Sequence, residues 1–534
     1  MVKKTLIFSL LLVAAMVGPA VALDLPEIYT SIQVNPGLRG DVLLGYLYDV
    51  RDIDGVSQKT LINVVNTDPN YGMVAKMRFR EYKRSRECLD FHFPLSKGDV
   101  WSAEIYQCRN GANAGRPYIF SNDPNTIDIT DGAGFWPLRS DLNDQDLSTP
   151  CNDPESPNLG AGAAFRVGAM EVGAQNIARC LYGYYEIIGE ERVSGDFGPT
   201  TVNRIPVDTP CGPGFTGLAV CGRDAQNSLF AETWLVRVED GTAQEYADLA
   251  ISNFAVNPAG IKGPVIGTSL PTLQSGAQGE AGNPGFGGFA QLEFVLSKRY
   301  IFAQYWNDPN FFAKTSIVVT FPTKWAHFDI NSPFNTATRP FVGPYETVQD
   351  GSSDPFLFVI RDRFENILSI PTSDVIFSPF SSTGPPVTRW PFEVNIMGLY
   401  PIPKDVSGIP HSVIDDGFFY RDNLVIRTFV EGETPFTAGW INIDLSPNNF
   451  PIPDPVSGNP GLPSGVVGEQ GLTLADVFNF WAEDGADDSN FGSYRGLPVI
   501  GGVFTEVTHP GLGLNYRTAI PWASAVDWPA ITPD

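Results

Sequence analysis

The chain reads as an all-β protein, two or more antiparallel immunoglobulin-like β-sandwich domains with long loops and two short helices, on three observations. Apolar and polar residues alternate with a period of two in segment after segment. Clusters of Gly, Pro, Asn and Asp separate those segments as turns do. The 53 glycines and 45 prolines accompany a hydrophobic content of 43%, enough for packed cores and too much for a disordered chain. The competing architecture is an outer-membrane barrel, which short, irregularly spaced strands and a non-aromatic last residue, Asp534, disfavour.

In residues 1–22, Lys3 and Lys4 precede an apolar run from Leu6 to Val17 and the small-residue site Ala20-Val21-Ala22. That order predicts a secretory signal peptide cut after Ala22. As a membrane anchor the run falls short of the roughly 20 residues a span needs. No cysteine at the cut suggests a lipid anchor, no later stretch has the length and apolarity of a transmembrane segment, and Ile531-Thr532-Pro533-Asp534 resembles no anchor or sorting signal. The expected location is secreted, extracellular or cell-surface, with the periplasm as the alternative. Cleavage leaves 512 of 534 residues, suited to two to four domains. Loss of two lysines takes the formal charge from −25 to −27. Such a surface repels nucleic acid and anionic membranes and draws divalent cations weakly.

The N-terminal sandwich is expected over 23–256. Leu61 to Val65 forms a strand, followed by the turn Asn66-Thr67-Asp68-Pro69-Asn70. Met73, Ala75, Met77 and Phe79 face a core, and Lys76, Arg78 and Arg80 face water. Leu89, Phe91 and Phe93, then Trp101, Ala103 and Ile105, predict two strands paired as a hairpin across Pro94–Asp99. A loop-rich excursion covers about 108–178. Strands return at Tyr182–Ile188 and Thr233–Val238, and the capping box Thr242-Ala243-Gln244-Glu245 predicts a short helix through Tyr246, Leu249 and Ala250. Residues 257–289, with nine glycines, are the expected linker. The C-terminal sandwich follows over 290–534, with strands at Ser316–Thr320, Phe356–Ile360, Asn423–Arg427 and Trp440–Asp444. Its one helix runs from the Thr473/Asp476 capping box to Gly485, with Leu474, Val477, Phe478 and Trp481 on one face.

An even count of six cysteines, Cys88, Cys108, Cys151, Cys180, Cys211 and Cys221, favours disulfides in an exported chain, although six allow fifteen connectivities and buried free thiols are the alternative. The hairpin register sets Cys88 opposite Cys108; Cys211 to Cys221 would close a Gly- and Pro-containing loop, leaving Cys151 to Cys180. No Cys-x-x-Cys occurs, which argues against c-type haem attachment, zinc ribbons and thioredoxin-like chemistry.

Reactive constellations are missing from the pattern. His92, His327, His411 and His509 stand in four separate segments, without a His-Glu-x-x-His or Gly-x-Ser-x-Gly motif. Gly212–Gly217 spells the dinucleotide pattern, but no strand precedes it and no helix follows. Asp90 and Glu104 would be near neighbours on one solvated strand face. Asp141, Asn143 and Asp146, and Asp484, Asp487 and Asp488, supply oxygen ligands that a structural calcium ion would suit, although neither cluster fits an EF-hand loop. Ten tryptophans and eighteen tyrosines offer sugar-stacking faces, but Trp101 and Trp440 sit at core parity. The chain is therefore expected to be no enzyme and to use no cofactor; a hydrolase is the weakest reading.

Several phrases resemble a family of exported proteobacterial proteins generally labelled hypothetical or cell-surface: Ser85–Phe91 with Asp99-Val100-Trp101, Gly183–Ile188, Val318–Lys324, and Gly439–Asp444 with Gly496–Ile500. Val-Thr-Phe-Pro-Thr-Lys is the most specific of them. The resemblance implies export and a β-rich surface protein, with no catalytic residue to carry over; Cys88 departs from the apolar residue expected there. The function expected is a structural or surface-assembly role at the cell exterior, with the chain itself or other envelope components as partners. Glycan or partner binding of an adhesin-like kind is the alternative.

Overall fold

The computed structural model describes residues 32–52, 57–109, 114–121, 163–164, 177–194, 219–222, 227–239, 241–254, 272–273, 289, 292–293, 295–298, 300–308, 313–327, 341, 354–368, 376–377, 389–390, 392–400, 424–427, 437–445, 497–509, 514–520 and 523–525. The first half holds β1 (Gln33–Val34), β2 (Val42–Asp49), β3 (Gln58–Asn66), β4 (Gly72–Glu81), β5 (Glu87–Leu95), β6 (Val100–Gln107), β7 (Pro117–Phe120), β8 (Ala163–Ala164), β9 (Tyr182–Ser194), β10 (Ala219–Gly222), β11 (Leu229–Arg237), β12 (Thr242–Ala247) and β13 (Leu249–Ser252). The second holds β14 (Ser297–Lys298), β15 (Tyr300–Trp306), β16 (Ala313–Thr320), β17 (Asp354–Pro355), β18 (Leu357–Asp362), β19 (Ile367–Leu368), β20 (Ile376–Phe377), β21 (Arg389–Trp390), β22 (Val394–Tyr400), β23 (Leu424–Arg427), β24 (Ala438–Asp444), β25 (Leu497–Pro498), β26 (Ile500–His509), β27 (Leu514–Ile520) and β28 (Ala523–Ala525). Among the described residues no helix is long and apolar enough to cross a membrane.

Among the described residues four large sheets form, in strand orders β12-β11-β3-β6-β7-β8, β1-β13-β2-β9-β4-β5 with β10 also on β9, β20-β23-β22-β16-β26-β27, and β19-β18-β24-β15-β28. Their pairings are antiparallel except β22 with β23, which is parallel. Three cores set the stacking. Ile62, Val64, Trp101 and Ile105 of the first sheet meet Met77, Phe79, Phe91 and Ile187 of the second. On the other face of the second sheet, Leu44, Tyr184 and Ile188 meet Val318, Ile396 and Phe504 of the third. Ile317, Val319 and Val503 of the third then pack on Ile301, Ile360 and Ile441 of the fourth. The period of two does this work, because adjacent residues such as Val318 and Val319 point into different cores. The two middle sheets are thus covered on both faces, and their strands become near-continuous buried runs such as β2 and β16.

Several expectations change. The strands β5 and β6 are not a hairpin: β5 pairs with β4, and β6 with β3 and β7, so Pro94–Asp99 carries the chain from one sheet to the facing one. Asn66 anchors that crossing, its amide donating to Ser96 O at 3.0 Å and to Tyr71 O at 2.8 Å. Asp90 and Glu104 consequently lie in different sheets, Asp90 beside Lys76 and Glu104 beside Lys59. The predicted helix at Thr242 is two strands, since Thr242, Gln244 and Tyr246 are buried while Ala243 and Glu245 are exposed, a period of two overriding the capping residues. Trp440 is half-buried, and Ile441 and Ile443 take the core parity. Leu273 and Phe289, from the expected linker, are buried in the middle core; most of 257–289 and the predicted helix over 473–485 lie outside the described residues.

The disulfide expectation changes too. Cys88 bonds Cys180, with a Cα–Cα distance of 5.9 Å. Phe79 pairs with Leu89 but Arg80 with Glu87, so Cys88 is the extra residue of a β-bulge. The bulge turns it out of the polar parity and into the core beside Leu89. Cys108 is also disulfide-bonded.

Candidate functional site

The chemistry-bearing residues gather at the joint where the second sheet meets the third. Strand β4 presents Lys76, Arg78 and Arg80 on the face away from the first core, and all three are buried, where alternation alone predicted water. Carboxylates on both neighbouring strands neutralise them. Lys76 pairs with Asp90; Arg78 Nε lies 2.8 Å from Glu87 Oε2 and its Nη2 3.7 Å from Asp90 Oδ2; Arg80 Nε lies 2.5 Å from Glu186 Oε1. The register explains the grouping, since Arg78 stands directly opposite Asp90 on β5 and Glu186 on β9. Three alternating cations on a central strand, with acids at matching positions on its neighbours, is the signal that sequence reasoning missed.

The second unit closes over this face with the Val318–Lys324 segment. The Arg80 guanidinium sits 4.1 Å from the centre of the Trp325 ring. Tyr184 donates to Pro322 O at 3.0 Å, and Thr320 Oγ1 to Tyr46 O at 2.7 Å. The amides of Glu393 and Val394 donate to Tyr82 O at 2.9 and 3.0 Å. Lys324 is itself buried against Asp354, with the Phe321 and Phe341 rings 5.4 and 5.3 Å from its Nζ. The phrases singled out in the sequence therefore meet in space: Tyr184 and Glu186 from one, Glu87 and Asp90 from another, Thr320 to Lys324 from a third.

Burial shapes the ionisation here. It pushes the Glu87 carboxyl up to about 7 against the opposing pull of Arg78, and it lowers Lys76, with the neighbouring Arg78 charge adding to the effect. The buried carboxyl of Asp248 accepts from Tyr185 Oη at 2.6 and 2.8 Å and from Thr233 Oγ1 at 3.0 Å. Burial raises it to about 7, with those hydrogen bonds opposing. Gly45 makes room for the Tyr185 ring, since a Cβ there would lie 2.1 Å from Cζ.

The ion pairs neutralise the cations within the second sheet, and the contacts that cross to the side of the third include the Arg80–Trp325 stacking and the hydrogen bonds of Tyr184, Thr320, Glu393 and Val394. Among the described residues no group of three or more His, Cys, Asp and Glu side chains could hold a metal ion. The calcium candidates Asp141, Asn143, Asp146, Asp484, Asp487 and Asp488 lie outside the described residues, and of the histidines His92 and His509 belong to different sheets. No family model, curated protein or solved structure matches the chain.

Proposed function

We infer that this chain is a secreted, non-enzymatic structural protein of the bacterial cell exterior, built of immunoglobulin-like sandwiches stacked into one stiff body. The observation that carries the reading is the Arg80–Glu186–Trp325 joint, where charge, ring and core residues of both units interlock. Among the described residues the perturbed carboxyls are held by neighbours in the packed sheets, Glu87 by Arg78 and Asp248 by Tyr185 and Thr233. The signal-peptide pattern of residues 1–22, the buried Cys88–Cys180 bond and the strongly acidic surface support export and solubility outside the cell. Immunogold electron microscopy of native cells tests this: label along the outer surface is the expected result, and label confined to the cell interior contradicts it.

One surface favours the alternative, a glycan-binding role. The outward face of the fourth sheet carries Phe302, Gln304 and Trp306 on β15 beside Asn442 and Trp440 on β24 and Arg361 on β18. Trp306 is 39% exposed. Rings interleaved with amide and guanidinium donors suit pyranose faces and hydroxyls. Under this reading Trp306→Ala and Trp440→Ala abolish retention on a polysaccharide column without changing the fold.

A further inference from the structure

Lys76 and Asp90 stand in contact inside the second sheet, both side chains wholly buried. They belong to adjacent strands, and Lys76 reaches diagonally past Arg78, the residue directly opposite Asp90. Arg78 Nη2 lies 3.7 Å from the same Asp90 oxygen, and Arg78 Nε lies 2.8 Å from Glu87.

An ammonium and a carboxylate held together differ from an amide by one water molecule. After proton transfer from Lys76 to Asp90, the amine lone pair attacks Cγ and a C–N bond forms. The C–O bond then breaks, and the departing oxygen leaves as water with the surplus protons. No oxidant, reductant or co-reactant is needed. In bulk water hydrolysis dominates; in a dry interior with the two groups fixed side by side, proximity favours closure. Burial and the Arg78 charge both lower Lys76, which favours the nucleophilic free amine. The Arg78 guanidinium, 3.7 Å from Asp90 Oδ2, supplies a positive charge beside the negative charge that develops on Asp90, at ion-pair and not hydrogen-bond distance. Closure also removes two buried charges together, relieving a desolvation cost that an ion pair rarely offsets. Arg78 and Glu87 are left to neutralise each other.

We propose that Lys76 and Asp90 condense to a side-chain amide that covalently staples β5 to β4, with Arg78 stabilising the reaction and Glu87 positioning Arg78. The bond has a physical use, because β5 ends its sheet among the described residues, paired there with β4 alone besides its core packing and the Cys88–Cys180 bond. It does not depend on where the protein resides.

The test is peptide mapping of the full purified chain by tandem mass spectrometry. A branched peptide joining the Lys76 and Asp90 segments, lighter by one water than their sum, is the expected result. Lys76 should also resist acetylation in full denaturant. Recovery of the two segments as separate linear peptides, with Lys76 acetylated, overturns the proposal, as does a branch found only at the other buried pair, Lys324 and Asp354. Glu87 keeps a quarter of its side chain exposed, so Glu87→Gln should fold. Followed from chain recovered unfolded and still unlinked, its first folding should close the bond at least about tenfold more slowly than wild type and lose the wild-type pH dependence of that rate; an unchanged rate and profile would overturn the scheme in which Glu87 positions Arg78.

Discussion

The Arg80 guanidinium lies 4.1 Å from the centre of the Trp325 ring while its Nε lies 2.5 Å from Glu186 Oε1, so one cation ties the joint to the sheet beneath it. Trp325→Ala should cost about 1–3 kcal/mol in chemical denaturation, from lost ring packing and cation–π attraction. Arg80→Met should cost more, about 3–5 kcal/mol, because it strands a buried carboxylate. A double-mutant cycle should return a coupling of about 1–2 kcal/mol; strict additivity would show that the two side chains do not act together.

Asp248 sets a pH dependence. Its folded pKa of about 7 lies above the ordinary 3.8, so between those values the folded state holds more protons than the unfolded one. Its contribution is fully present below about pH 4 and is lost as pH rises through 7, with a slope of at most about 1.4 kcal/mol per pH unit. Glu87 acts in the same direction. Melting curves between pH 5 and 8 should therefore flatten in Asp248→Asn relative to wild type; parallel curves would remove Asp248 as a cause.

Replacing Cys88 and Cys180 by serine should lower stability by about 2–5 kcal/mol, since the bond closes a loop of 92 residues in the unfolded chain. Mass mapping under non-reducing conditions should also recover Cys88 with Cys180, and a Cys88–Cys108 peptide would reinstate the hairpin geometry.

Gly45→Ala should destabilise by about 1–3 kcal/mol or more, because its Cβ meets the Tyr185 ring. The same substitution at Gly98, where nothing lies within 4 Å, meets only the cost of its positive φ of 67°. A milder effect at Gly45 than at Gly98 would contradict the packing described.

Strand positions were legible because apolar alternation survives in β3, β4, β6 and β11, whose residues face a core at every second position. Pairing was not. Period two does not say which neighbour a strand takes, so Pro94–Asp99 looked like a hairpin although its chain crosses between sheets. A single bulge at Cys88 reversed the parity on which its disulfide was argued. The polar face of β4 is ambiguous for a similar reason, since water and a second layer of sheet both tolerate charges once partners such as Asp90 and Glu186 are in place. The aromatic outer face of β15 and β24 needed the register, which brings Gln304 beside Trp440 from residues far apart in the chain.

Sedimentation of the purified mature protein over a wide concentration range separates the two functional readings most directly. A surface-building protein should associate reversibly with itself as concentration rises. A monomer at every concentration that binds polysaccharide saturably would contradict it.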